Sequence, residues 1–420
     1  MWCRPARWFA GLAAAALVLV GCAAGPETPG NGGSGGTTVA GTGGSSGGGT
    51  GGMAYVYNSG PAQFRFPQDR AYPNCALRSY SNDEVFRAYK NWKATYYDGS
   101  RVVRKDGDMV GDTISEGIAY GMMIGVYMND RAMFDSLWSY ARSHSNQNGF
   151  MHWRIGPGGN VVGQNGATDG DEDMAWALLM ASVQWDMSYR QQALTLINNI
   201  WQFEVEHGTQ DVLKPGDMFG GAQETNPSYF APSYYRVFAQ VSGQSGWMRV
   251  VDSSYSIIER ASGSYGLVPN WCDANGAPRT NRMNGGDFGY DACRTPWRIA
   301  LDYCENNEPR AKAYLDKLMG FYASKNGFIG IKDGYTMTGG DPAGTLGDYT
   351  VGMAFIGPAA AGSLISSSYD SIGLSAYREI ANGTSDGYVG NVTTSFSYYN
   401  ASWGVLGILV VSGNFWNLMR

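Results

Sequence analysis

Apolar residues recur near every 3.6 positions in about twelve separate stretches of this chain, each bounded by Gly, Pro, Asn or Ser. The spacing predicts helices over 81–95, 115–129, 131–143, 170–185, 188–206, 232–242, 246–262, 296–304, 308–323, 350–365, 370–381 and 398–412. Twelve helices form six hairpins, so the expected fold is all-α, of the α/α toroid kind. Periodicity by itself also fits other helical arrangements. Two connections, 208–228 and 326–348, are long and aromatic. Structured loops of that length on a helical scaffold usually carry function.

The N-terminal region reads differently. Arg4 and Arg7 precede an apolar stretch from Trp8 to Val20, and Leu19-Val20-Gly21-Cys22 has the form of a lipoprotein cleavage box with Cys22 as the acylated residue. An ordinary signal peptide cut after a small residue is the alternative, and either implies export. The apolar stretch is too short to span a membrane stably. Residues 23–53 collapse to Gly, Ser and Thr and cannot bury enough surface to order themselves, which makes them a tether. The expected organisation is a signal segment over 1–22, a flexible linker over 23–53 and one large domain over 54–420, with no second linker inside it.

Composition narrows the function. A net charge of −6 argues against nucleic acid, which calls for a basic stripe. The three histidines, His144, His152 and His207, are too few and scattered for the usual metal or triad chemistry, so neither metal nor cofactor is expected. Cys75, Cys272, Cys293 and Cys304 lack zinc spacing; in an exported domain they allow one or two disulfides among three pairings. With 27 tyrosines and 13 tryptophans the chain has more aromatic rings than packing alone demands. Stacking on the C–H faces of sugars is one use for them, and burial is the other.

Three acidic segments lie far apart among glycines and aromatics: Ser115-Glu116-Gly117, the run from Ala167 to Ala175, and Tyr290 to Arg294. Such carboxylates can be gathered by folding into a sugar-binding cleft. Taken singly, each has a plainer reading. Glu116 and the Asp169–Asp173 group suit helix N-termini, where negative charge is favourable by roughly 0.3–1 kcal/mol each, and Asp291 could simply pair with Arg294 or Arg298. A helical wheel puts Met174, Ala177, Leu178 and Ala181 on one face and Asp169, Glu172, Asp173 and Trp176 on the other, so the carboxylates are expected to face away from the packing core. A calcium loop is discounted because Met174 and Met180 stand where Gly and Glu are needed. Thr295-Pro296 reads as an N-cap followed by a first helical residue.

Together the segments carry a resemblance. ATDGDEDMAWALLMASVQW (167–185), SEGIAYGMMIGV (115–126) and FGYDACRTPWRIALDY (288–303) resemble, in order, the hallmark segments of glycoside hydrolase family 8, and the similarity extends over most of 55–415. The resemblance implies an (α/α)6 barrel and an inverting hydrolase of β-linked polysaccharide. It places Glu116 as general acid, Asp291 as general base, Asp169 as the residue holding the distorted sugar ring, and Arg294 beside the base. Trp153 resembles a stacking tryptophan, and Tyr229, Trp271 and Tyr399 are candidate cleft residues. Glu116 must stay protonated at a helix N-terminus, so burial and neighbouring carboxylates such as Asp169 are expected to raise its pKa. The Ala-Thr-Asp-Gly-Asp form of the central motif looks more like the cellulase members, which favours endo-acting cleavage of β-1,4-glucan. Xylan and chitosan are the alternatives on the same scaffold, and a non-catalytic polysaccharide-binding lipoprotein is the alternative of another class. The chain is expected to act as a monomer at the bacterial cell envelope, touching membrane only through Cys22.

Overall fold

The computed structural model describes residues 55–76, 80–105, 110–282, 284–325, 330–343, 352–383 and 397–420. The signal segment, Cys22 and the linker lie outside these residues, as do parts of the predicted functional loop at 326–348. Twelve α-helices occur among the described residues, one on each predicted segment: α1 (Asn82–Tyr96), α2 (Ser115–Tyr127), α3 (Arg131–Ser143), α4 (Thr168–Gln184), α5 (Ser188–Phe203), α6 (Pro232–Ser242), α7 (Trp247–Ala261), α8 (Thr295–Asn306), α9 (Pro309–Ser324), α10 (Met353–Gly362), α11 (Asp370–Asn382) and α12 (Tyr398–Val411). Short strands fill some connections: β1 (Thr113–Ile114), β2 (Arg154–Ile155) and β3 (Val161–Gly163) form one antiparallel sheet, and β4 (Val205–Glu206) pairs with β5 (Val212–Leu213).

The helices alternate between two layers. α2, α4, α10 and α12 are buried almost all round, while α1, α3, α5 and α7 each bury a single stripe. That difference is written in the residues. The inner helices carry small and apolar side chains on every face, whereas α3 pairs a Met133-Phe134-Leu137-Ala141 stripe with a charged outer side. Inner neighbours close a ring: α12 packs on α2 and α10, α2 on α4, and α8 on α6 and α10. Trp176 of α4 stacks on Tyr234 of α6, with centroids 4.2 Å apart, completing it. The fold is an (α/α)6 barrel, in which α3, α5, α7, α9 and α11 each lean on the inner helix that precedes them and α1 leans on α12.

Two local expectations change. Every residue of α4 from Thr168 to Ser182 is buried, so the Glu172 and Asp173 face does not turn away from packing. An inner helix has no wet side; its second face meets α8, where Arg298 pairs with both carboxylates. Thr295 is also not an N-cap. A 3-10 turn at Ala292–Arg294 runs directly into α8, so the backbone is already helical at Arg294 and Thr295 begins the helix proper. Of the three possible cysteine pairings, the structure contains a Cys75–Cys304 disulfide and leaves Cys272 and Cys293 as buried thiols. Among the described residues no helix is long and apolar enough to cross a membrane.

Candidate active site

The first turns of two inner helices meet at one end of the barrel. β1 delivers the chain to Glu116 in the first turn of α2, and the N–H of Ser115 donates to the Trp153 carbonyl at 3.0 Å. Asp169 sits in the first turn of α4, its Oδ1 accepting from the Gly170 N–H at 2.9 Å. The two turns approach backbone to backbone: a Cβ added at Gly170 would stand 3.2 Å from the Glu116 nitrogen. No side chain other than hydrogen leaves that spacing intact.

Asp291 arrives from a loop held by one amide. Asn270 Oδ1 accepts from the N–H groups of Gly289, Asp291 and Ala292 at 3.1, 3.2 and 2.8 Å, which fixes the loop ahead of the 3-10 turn. Asp291 then takes Trp271 Nε1–H on Oδ2 at 3.1 Å and Arg294 Nη2–H on Oδ1 at 2.8 Å. Its side chain is 32% exposed, the most open of the three carboxylates.

Arg294 joins all three. Its guanidinium is buried, with Nη1 at 2.5 Å from Asp169 and 3.3 Å from Glu116, and Nη2 donating to Asp291 and, at 2.9 Å, to Ser228 Oγ. Tyr229 lies alongside, its ring centroid 4.9 Å from the guanidinium carbon. A planar fork of five donors suits this task, since a lysine ammonium has three donors on one nitrogen and Arg294 reaches the Ser228 hydroxyl and the Asp291 carbonyl besides the three carboxylates.

One cation among three anions leaves negative charge in excess, and that sets the proton positions. The Glu116 carboxyl is raised to about 7, first by burial and then by the charge of Asp169, against the lowering influence of Arg294 and Tyr398. This is the environment that the resemblance required of an acid at a helix N-terminus. Burial also raises Asp291 from its ordinary value, while Arg294 and the Trp271 donor pull it back. The two carboxyls therefore differ in environment as an acid and a base must.

The structure places the sequence-predicted residues as follows. Glu116, Asp169, Trp153 and Tyr229 line a cleft of about 210 Å³ together with Arg104 and Tyr398. Trp153 is 38% exposed, and its indole lies flat against the backbone of Gly163, where a Cβ would come within 2.3 Å of the ring. Arg294, Asp291 and Trp271 connect to the cleft through the contacts above. Tyr399 is not among these lining residues: it lies beside Arg294, with the guanidinium carbon 5.9 Å from its ring centroid, its hydroxyl donates to the Tyr290 carbonyl, and it packs on Tyr120 and Trp403. Side chains that sequence reasoning passed over include Tyr398, whose phenol donates to Glu116 Oε1, and Asn270, Ser228 and Phe219. Phe219 is 41% exposed and stacks on Trp271. Tyr398 had one visible cue, its place at the start of a helix beside the named Tyr399.

Known proteins resemble this chain in sequence and in fold. The sequence profile described as Glycosyl hydrolases family 8 matches residues 64–411. Endoglucanase A of Acetivibrio thermocellus is 42% identical over 331 residues, covering 76% of this chain and 66% of that protein; the chain thus spans just under two thirds of that relative's length. Endoglucanase C of Ruminiclostridium cellulolyticum is 36% identical over 383 residues, covering 86% of this chain and 79% of that protein. Among solved structures, the apo β-1,3-1,4-glucanase of Paenibacillus sp. X4 superposes with a TM-score of 0.73 at 28% identity, covering 84% of this chain and 99% of the other. With the barrel and the matched span in agreement, the chain belongs to glycosyl hydrolases family 8.

Proposed function

We propose that this chain is an inverting, endo-acting glycoside hydrolase that cleaves β-1,4-linked glucan, cellulose-type or mixed-linkage, by general acid and general base catalysis. The observation that carries the reading is the Arg294 clamp, which ties Glu116, Asp169 and Asp291 from three distant segments into one site. Glu116, protonated up to about pH 7, gives its proton to the leaving oxygen as the glycosidic bond breaks. Asp291, ionised and open to solvent, takes a proton from the water that attacks the anomeric carbon from the opposite side. Asp169 holds the ring between them. Because Glu116 and Asp291 bind the two terminal nitrogens of one guanidinium, at 3.3 and 2.8 Å, their oxygens lie no farther apart than about 8.5 Å. Inversion with one water in place needs roughly 6.5–9.5 Å. Trp153 stacks on the chain within the cleft, and Trp271 braces the base.

The preference for glucan rests on the Ala167–Asp171 motif and on relatives described as glucanases. Incubating residues 54–420 with carboxymethylcellulose, barley glucan, xylan and chitosan and measuring new reducing ends tests it. Fast release from the two glucans is expected, with the product's first-formed anomer inverted by NMR. Preference for xylan or chitosan would replace the substrate, and no release from any polymer would favour a binding protein instead.

The export reading belongs to the same proposal: Cys22 is acylated and the 23–53 tether holds a monomeric domain at the cell envelope. The Cys75–Cys304 disulfide supports an oxidising compartment. Metabolic labelling with a radioactive fatty acid should mark the wild type, and Cys22→Ser should be unlabelled and released to the medium. Release of both forms alike would leave an ordinary signal peptide as the explanation.

A further inference from the structure

A second groove opens on the outer wall of the barrel, between α3 and α5, with a volume of about 370 Å³, larger than the cleft that holds Glu116. Its lining includes the half-buried Trp138, Gln192 and Asn199 and the exposed Arg142 and Gly149. The indole is held in place. Trp138 Nε1 donates to Gln192 Oε1 at 2.6 Å, and the Arg142 guanidinium carbon lies 5.8 Å from the ring centroid. Gln192 Nε2, Thr195 Oγ1 and Ser145 Oγ donate to backbone carbonyls, and two donor groups are left over: among the described residues Arg142 has no carboxylate partner and the Asn199 amide makes no hydrogen bond. Gly149 has φ +85, and a Cβ there would come within 2.7 Å of Asn199 Nδ2, so the bare glycine backbone is what lets that amide reach the groove.

An outer helix pair in this fold needs only a solvated surface, and an unpartnered guanidinium, a free amide and a fixed aromatic ring around one hollow are more than that. We propose that this groove is a second carbohydrate-binding site, taking a pyranose segment of the same neutral β-glucan that the cleft is proposed to cleave; it rests on that reading for its ligand. A sugar ring offers a C–H face to the indole and hydroxyls to the Asn199 amide and the Arg142 guanidinium, a combination that a purely anionic or purely apolar ligand does not satisfy. The groove is also close to the cleft along the chain. Gly149 precedes Trp153 by four residues, which span at most about 14 Å when extended. A polymer chain longer than the cleft, or its neighbour in a bundle, can therefore engage both surfaces, and the second contact raises the effective concentration of substrate at the first.

The test uses Glu116→Gln as a background, so that polymer is bound and not cut, and measures retention in native gels cast with barley glucan. Adding Trp138→Ala, and separately Arg142→Ala with Asn199→Ala, is expected to weaken retention by roughly fivefold to tenfold, with melting temperature and circular dichroism confirming the fold. Trp153→Ala in the same background gives the cleft's own share. Retention unchanged in both groove variants would overturn the site. So would a groove-dependent retention seen only with carboxymethylcellulose and removed by salt, which would make Arg142 an anion contact. Reducing-end release by the wild type on the same glucan, run in parallel, reports on the hydrolase reading separately, because the retention difference does not depend on cleavage.

Discussion

The phenol of Tyr398 donates to Oε1 of Glu116, opposite the oxygen that faces Arg294. This contact favours the ionised carboxyl, and burial together with the charge of Asp169 outweighs it to leave Glu116 at about 7. A general acid works while protonated, so activity falls as pH rises through that value. Removing the phenol removes a lowering influence. In Tyr398→Phe the basic limb of the pH–rate profile is expected to move to higher pH, by up to about one unit, while the acidic limb, set by Asp291, stays in place. A basic limb that does not move, or that moves down, would show that another group is being titrated.

Arg298 holds a second buried cluster away from the cleft. It grips Asp173 with two hydrogen bonds, at 2.9 and 3.0 Å, and stands 3.1 Å from Glu172, with all three side chains fully buried. Burial raises both carboxyls, Glu172 well above the usual range, and Arg298 opposes it. Arg298→Met strands two carboxylates, a loss of about 3–5 kcal/mol, which for a domain this size lowers Tm by roughly 5 °C. The sign with pH follows from the raised folded-state values. Protonation relieves the stranded charges at low pH, so the deficit should be smaller at pH 5 than at pH 8. A Tm loss independent of pH would refute the charge explanation.

The helices were readable because the barrel uses two plain patterns, all-round apolar segments inside and amphipathic ones outside. The face of α4 was misread for the same reason. A helical wheel assigns a charged face to water, and only the ring of inner helices, closed by contacts such as Trp176–Tyr234, shows that water is absent there. Glu116, Asp169 and Asp291 stood in motifs and could be named. Asn270 could not, since its three backbone partners lie about twenty residues on and nothing around it marks a site. Tyr398 meets Glu116 across 282 residues, a contact made by barrel closure. Disulfide pairing is of that kind too.

The Cys75–Cys304 bridge closes a loop of 229 residues, from the segment ahead of α1 to the C-terminal turn of α8. In the chain-entropy picture a loop that long is worth about 5 kcal/mol. Cys75→Ala with Cys304→Ala should lower Tm by roughly 6 °C and leave kcat within about twofold, because neither cysteine touches the cleft. Burial pushes the Cys272 and Cys293 thiols up to about 12, which suppresses their thiolates. A thiol reagent applied to residues 54–420 should therefore find no reactive groups in the native protein and two after unfolding without reductant. Four after unfolding would mean that the bridge does not form.

Gly170 sets two energies against each other. Alanine in the first turn of α4 would favour the helix by about 1 kcal/mol, but its Cβ would lie 3.1 Å from both the carbonyl carbon and the Oγ of Ser115 and 3.2 Å from the Glu116 nitrogen. Two of those atoms are backbone at a helix start and cannot swing aside, so α2 and α4 must separate by a few tenths of an ångström. Overpacking of this kind costs about 1–3 kcal/mol, making Gly170→Ala neutral to mildly destabilising. Function should suffer more than stability, because the same displacement shifts Glu116 relative to Asp169 and the Arg294 clamp. A drop in kcat of roughly tenfold is expected, with a smaller rise in KM for polymer, since Trp153 is tied to the same turn through the Ser115 N–H. Kinetics on barley glucan beside a melting curve separate the two effects: a variant that keeps wild-type kcat would show that the close approach of these turns serves packing alone.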